Sequence, residues 1–196
     1  TRWLVVTGVQ TCALPIYLTR HPELLAKARA EVDAVWGDRE PAFSDVAKLR
    51  YVRRVLDEAL RLWPTAPGYF REAREDVVLG GKYRMRKGDW VIVPLPLLHR
   101  DPAAWPDPEV FDPDRFEPAA VKKRPAQAYK PFGTGERACI GRQFALHEAV
   151  LALGTVLQRY DFEIDPGYEL RIVESLTLKP SGFTLRPRVR AAAGNV

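Results

Sequence analysis

Apolar positions recur at helical spacing in three stretches of the chain. From Pro22 to Trp36, Leu24, Leu25, Ala28, Val32 and Val35 share one side; a proline opens the first turn beside Glu23, and Gly37 stops the run. From about Tyr51 to Trp63, Val52, Val55, Leu56, Ala59 and Leu60 form a second face, ended by Pro64. From Arg142 to Arg159 the apolar residues lie on most sides, which predicts a buried third helix. Ser44 to Arg50 reads as one short helical turn between the first two.

Elsewhere the pattern shortens to strands. Val77 to Leu79, a Gly80-Gly81 turn, Tyr83 to Met85, a Gly88-Asp89 turn and Trp90 to Val93 predict short antiparallel strands. Asp101 to Pro118, rich in proline, aspartate and phenylalanine, predicts an irregular but packed loop. After the third helix, Asp165-Pro166-Gly167 turns the chain into a hairpin-like region from Leu170 to Leu185. Leu176 and Leu178 alternate there ahead of a Pro180-Ser181-Gly182 turn, and Ala191 to Val196 form a tail. The fold class is therefore α+β, mainly α with small antiparallel sheets.

Composition narrows the field little. A chain of 196 residues, 46% hydrophobic, holds one domain with a real core. The apolar run Trp90 to Leu98 is broken by Pro94 and Pro96, too short to span a bilayer. The net charge of +5 comes from arginines scattered over all segments, with one cluster at Lys122, Lys123 and Arg124, which argues against a nucleic-acid stripe. Two cysteines give neither a disulfide framework nor a zinc spacing, and a reducing cytoplasm is the expected setting.

Two constellations carry candidate chemistry. Glu58 and Arg61, three apart on the second helix, are either a surface pair worth a few tenths of a kcal/mol or a buried pair that must satisfy all its hydrogen bonds. Cys139 sits just ahead of the third helix, where free backbone N–H groups favour an anionic sulfur, in a loop relieved by Gly133, Gly135 and Gly141. Arg137 offers a fixed cation beside it. The bland alternative is a buried free cysteine at a loop-to-helix junction. Gly133 to Ala138 also fits a dinucleotide-binding G-x-G-x-x-A with Asp161 downstream, but Arg124 to Pro131 contains no strand to precede it, so a nicotinamide-binding dehydrogenase is disfavoured.

Taken together these residues resemble the cytochrome P450 family of haem-thiolate monooxygenases. Phe132 to Gly141 fits F-x-x-G-x-R-x-C-x-G, Glu58-Ala59-Leu60-Arg61 fits E-x-x-R, and Pro113-Asp114-Arg115-Phe116 fits P-x-R-F. The resemblance implies the C-terminal part of the P450 fold, with haem b as cofactor and Cys139 as its axial thiolate. It implies further that Phe132, Gly133, Arg137 and Gly141 surround the cofactor, Arg137 pairing a propionate and Phe132 shielding the sulfur. Glu58, Arg61 and Arg115 would lock together as a structural charge triad.

The stretches "ALRLWPTAPGYFREAREDVVLGGKY", "LHRD", "KPFGTGERACIGRQFALHEA" and "ESLTLKPSGF" are similar to the bacterial self-sufficient fatty-acid hydroxylases, whose haem domain is fused to a diflavin reductase. That branch implies fatty-acid hydroxylation driven by NADPH through FAD and FMN. It implies a substrate channel lined by Ala66, Pro67, Gly68, Tyr69, Leu176 and Thr177. Lys122, Lys123, Arg124, Lys130 and Arg142 would offer a basic face to an acidic flavin domain.

Ahead of Pro22 the family's oxygen-activating helix is expected, and Thr7 to Cys12 only imitates it, with Gln10 where an acid belongs. Val6 to Ile16 resembles a translated sequencing-adapter oligonucleotide. Residues 1–16 are thus expected to be a non-native leader, 17–190 the C-terminal portion of a haem domain and 191–196 a tail. A peroxygenase or rearrangement enzyme of the same fold, and a fragment without activity of its own, are the other readings that follow.

Overall fold

The computed structural model describes residues 13–174 and 177–190, with side chains from residue 16. Helices α1 (Ala13–Arg20), α2 (Pro22–Trp36) and α3 (Arg50–Leu62) are followed by four strands: β1 (Gly68–Glu72), β2 (Val77–Leu79), β3 (Tyr83–Met85) and β4 (Trp90–Pro94). Two short helices, α4 (Leu95–Leu98) and α5 (Pro118–Lys123), flank the proline-rich stretch. The long α6 (Arg142–Arg159) leads into β5 (Tyr160–Ile164), β6 (Arg171–Glu174), β7 (Leu178–Ser181) and β8 (Leu185–Val189). Single 3-10 turns occupy Phe43–Lys48, Pro113–Phe116 and Gly135–Arg137.

The three helices expected from apolar spacing form and pack on one another. Val32 and Trp36 of α2, Val52, Val55, Leu56 and Ala59 of α3, and Leu146, Ala149, Leu153 and Leu157 of α6 make one continuous core. Ile16 and Leu18 of α1 are also buried. The entry to α3 is capped from a neighbouring helix: the Glu31 carboxylate accepts from Tyr51 N at 2.8 Å and from Val52 N at 2.9 Å, satisfying two free donors of the first turn. Expected leader residues 1–12, the imitation at Thr7 to Cys12, Leu176 and the tail from Ala191 lie outside the described residues.

Four two-stranded antiparallel sheets accompany this core: β1 with β4, β2 with β3, β5 with β8 and β6 with β7. Three strands, β1, β5 and β8, were missed in the sequence pattern. The partner of Trp90–Pro94 is β1, with Gly68 opposite Pro94 and Glu72 opposite Trp90, rather than the preceding hairpin. The last strand, β8, closes on β5, directly after α6. The expected turn at Pro180-Ser181-Gly182 is shifted: Pro180 and Ser181 belong to β7, and the chain bends at Gly182, whose φ of 69° lies in the left-handed region.

Candidate functional site

The Glu58–Arg61 ambiguity resolves to the buried case, both side chains being fully out of solvent. Arg61 donates from Nε to Glu58 Oε2 at 2.7 Å and from Nη2 to Oε1 at 2.8 Å. Its other donors reach the carbonyls of His99 (2.9 Å), Pro108 (2.7 Å) and Val110 (3.1 Å). All five guanidinium N–H groups are therefore used, the condition under which such a pair is tolerated in a core. Burial pushes the Glu58 carboxyl above its ordinary value, against the pull of Arg61 and of Asp112 N–H, which donates to Oε1 at 2.9 Å.

Arg115 joins this pair more loosely than a locked triad. Its Nε stands 3.6 Å from Glu58 Oε1 without a hydrogen bond, while its terminal nitrogens donate to the carbonyls of Pro106 and Asp107. Asp112 caps the 3-10 turn that carries Arg115 by accepting from Asp114 N at 3.0 Å. The charges tie α3 to the proline-rich stretch.

Beyond that stretch lies the cysteine loop. Gly133 and Gly135 take φ of 72° and 74°, which a residue with a side chain adopts only with strain. With these two left-handed steps the loop doubles back, so that Cys139 N–H reaches Phe132 O at 2.9 Å. Phe132 packs against the hydrophobic core. Cys139, in contrast, is exposed, which removes the reading as a buried structural thiol. A Cβ at Gly141 would sit 3.9 Å from the Cys139 sulfur, so the glycine leaves that flank open. Ile140 is wholly exposed and Phe144, in the first turn of α6, is 74% exposed. An accessible sulfur, relieved of side chains and accompanied by uncovered apolar groups, fits a flat apolar ligand held through sulfur. Arg137 is exposed and has no carboxylate partner among the described residues, leaving its charge for an anionic group.

Three contacts anchor the loop, none expected from the sequence. Arg71 of β1 donates from Nη2 to Thr134 O at 2.9 Å. Tyr129 donates its hydroxyl to Asp57 of α3, at 3.0 Å to the carbonyl and 3.1 Å to Oδ1; burial pushes both the Asp57 carboxyl and the Tyr129 phenol upward. Lys130 N–H donates to His99 Nε2 at 3.0 Å. The one signal that could have found any of them is the imidazole of His99, which follows directly on the apolar run Trp90 to Leu98.

Of the expected substrate-lining residues, Ala66, Pro67, Gly68 and Tyr69 lead into and start β1, and Thr177 precedes β7. The two segments are joined by Leu178 N–H donating to Thr65 O at 3.0 Å, and Pro67 O accepts from Leu95 N at 2.9 Å. Of the basic residues, Lys122, Arg124, Lys130 and Arg142 line one 570 Å³ cavity with Phe132 and Gly133. Arg124 turns inward, stacked 4.0 Å from the Trp105 ring. A larger hollow of 810 Å³, bounded by Glu163, Tyr168 and Arg186 at the C-terminal hairpins, touches none of these site residues. Residues 124–131 form no strand, so the glycines of the loop do not follow the strand that dinucleotide binding needs.

The cytochrome P450 family model matches residues 8–187. The chain belongs to the cytochrome P450 family. It is 50% identical over 190 residues to the bifunctional cytochrome P450/NADPH–P450 reductase 2 of Bacillus subtilis (strain 168), covering 95% of this chain and 18% of that protein. It is 44% identical over 176 residues to a self-sufficient cytochrome P450 monooxygenase of Penicillium freii, covering 89% of this chain and 17% of that one. The solved haem domain of cytochrome P450DA superposes with a TM-score of 0.90 at 48% identity, covering 95% of this chain and 41% of that domain. The chain thus spans less than a fifth of these curated P450 relatives and about two fifths of the solved haem domain. The small sheets around a helical core are those of the P450 fold, and among the described residues no helix is long and apolar enough to cross a membrane.

Proposed function

We propose that the protein is a haem-thiolate monooxygenase in which Cys139 ligates the iron of haem b. The observation that carries this reading is the exposed Cys139 sulfur, set in a glycine-relieved loop whose base is pinned to the buried core. Phe132, Gly133 and Gly141 border the cofactor and Arg137 supplies a cation to a propionate. When bound through a thiolate, haem supplies the oxygen activation by which one atom of O2 enters a C–H bond. The polypeptide's task is to hold the sulfur, exclude water from its apolar flank and orient the substrate.

The substrate class is a fatty acid or a similar apolar molecule. Ala66, Pro67, Gly68, Tyr69 and Thr177 converge through the bond between Leu178 and Thr65, supporting a wall built from two distant parts of the chain; Leu176 belongs to the same proposed wall. Electrons come from NADPH through an FAD- and FMN-containing reductase, fused or separate, a reading supported by the reductase named in the Bacillus subtilis relative. The basic cavity of Lys122, Lys130 and Arg142 behind the cysteine loop is the surface we assign to its acidic flavin domain.

The test is spectroscopic. The chain is expressed with haem available, reduced, exposed to carbon monoxide and read in the Soret region. A strongly red-shifted, thiolate-type band that is lost in Cys139→Ser supports the reading. A haem complex whose band is indifferent to that substitution overturns it.

A further inference from the structure

His99 is fully buried, yet neither ring nitrogen is idle. Its Nδ1 lies 3.1 Å from Arg61 O and its Nε2 accepts the Lys130 N–H at 3.0 Å. Because a backbone N–H can only donate, Nε2 must be the acceptor nitrogen, and the ring proton therefore resides on Nδ1 and is donated to Arg61 O. Arg61 in turn donates from Nη1 to the carbonyl of His99 at 2.9 Å, so the two residues clasp one another reciprocally. His99 N–H is itself used, donating to Leu95 O at 2.8 Å.

From this clasp a short series of bonds reaches the backbone of Cys139. Lys130, held by Nε2, accepts Gly133 N–H on its own carbonyl at 3.0 Å; Phe132, between them, accepts Cys139 N–H at 2.9 Å. The charged centre of α3 and the base of the cysteine loop are thereby linked through one neutral imidazole. Tyr129 packs on its ring at 5.3 Å between centroids, adding weight to the same joint.

We propose that His99 is a positioning residue which sets the placement of the Cys139 sulfur by fastening its loop to the Glu58–Arg61 pair. The proposal rests on the reading of Cys139 as the iron ligand. The fastening itself is independent of that reading and is measured without haem. A leucine at this position removes both ring bonds. Glutamine can replace them, since one amide offers a donor and an acceptor.

The experiment uses the full chain with His99→Leu and His99→Gln, and Lys130→Pro, which deletes the N–H from the loop side if the leucine variant does not fold. Amide hydrogen exchange on the haem-free proteins compares residues 129–139 with residues 50–62. The expected result is exchange in the loop faster by about tenfold in His99→Leu or Lys130→Pro, the scale of one net hydrogen bond, with α3 unchanged and His99→Gln close to the parent. On the haem-loaded chain, the same disrupting variants shift part of the ferrous–carbon monoxide band away from the thiolate-type position, and His99→Gln restores it. Unchanged loop exchange, equal acceleration in α3, or failure of glutamine to restore overturns the proposal. If the parent takes up haem without a thiolate-type band, the ligand reading fails while the exchange data still decide the fastening.

Discussion

The indole of Trp36 rests on the backbone of Gly154: a Cβ built at that glycine falls 2.6 Å from Cη2 of the ring. The ring has nowhere to go, being 2% exposed and hydrogen-bonded from Nε1 to Asp45 Oδ2 at 3.2 Å. Glycine in the middle of α6 costs about 1 kcal/mol of helix propensity, and here contact with α2 requires it. Gly154→Ala is therefore expected to destabilise the chain by about 1 kcal/mol, overpacking outweighing the propensity gained. Urea unfolding of Gly154→Ala alone and combined with Trp36→Phe checks the cause: the smaller ring should cancel most of the penalty. An alanine variant more stable than the parent would contradict this packing.

The Glu58–Arg61 pair makes a stronger demand. Glu58→Ala leaves a guanidinium without its carboxylate at a position fully out of solvent, and a loss of about 3–5 kcal/mol is expected. Arg61→Lys is no rescue, because an ammonium has three donors for five acceptor contacts. Both are read by denaturant midpoint; a loss below about 1 kcal/mol for Glu58→Ala would show the pair to be dispensable.

Acid acts through His99. Burial holds its imidazole down to about 4 from an ordinary value of 6.5, so the folded chain binds fewer protons than the unfolded one between those values. The stability this gives is complete above about pH 6.5 and is lost as pH falls toward about 4, amounting to roughly 3 kcal/mol. Asp57 and Glu58, both pushed upward by burial, act with the opposite sign, their contribution fading as pH rises through their folded values. The difference between parent and His99→Gln, followed by urea unfolding at several pH values, isolates the histidine. Parallel curves for the two proteins would refute its part.

At Gly68 the constraint is backbone against backbone. A Cβ there would lie 2.7 Å from Val93 O of the paired strand, and a carbonyl in a sheet does not swing aside. Gly68→Ala is expected to loosen β1 from β4 and cost about 1–3 kcal/mol. Loss of amide protection confined to these two strands is the accompanying signature; uniform loss across the chain would argue for another cause.

The sequence pattern found α2, α3 and α6 because each carries its own period. Strands β1 and β8 escaped because their signal is in the partner: β1 pairs across 20-odd residues with β4, and β8 contains Pro187, a residue that demotes a run read in isolation. The helix-to-strand passage at Arg159 and Tyr160 has no glycine or proline to mark it. Helices α4 and α5 were hidden by prolines in their first turns, where proline is welcome although it reads as a breaker. In the site, Cys139 and its glycines were legible because their spacing is local. Arg71, Asp57 and Tyr129 were not, since nothing in their neighbourhoods announces contacts made 63 and 72 positions away.

The bond from Arg71 to Thr134 joins the strand assigned to the substrate wall directly to the loop assigned to the metal ligand. Whatever widens β1 from β4 therefore pulls on the cysteine loop through a single guanidinium. On the assignments proposed above, a guest that displaces β1 would be transmitted through Arg71 to the loop that holds the sulfur, before any reaction takes place.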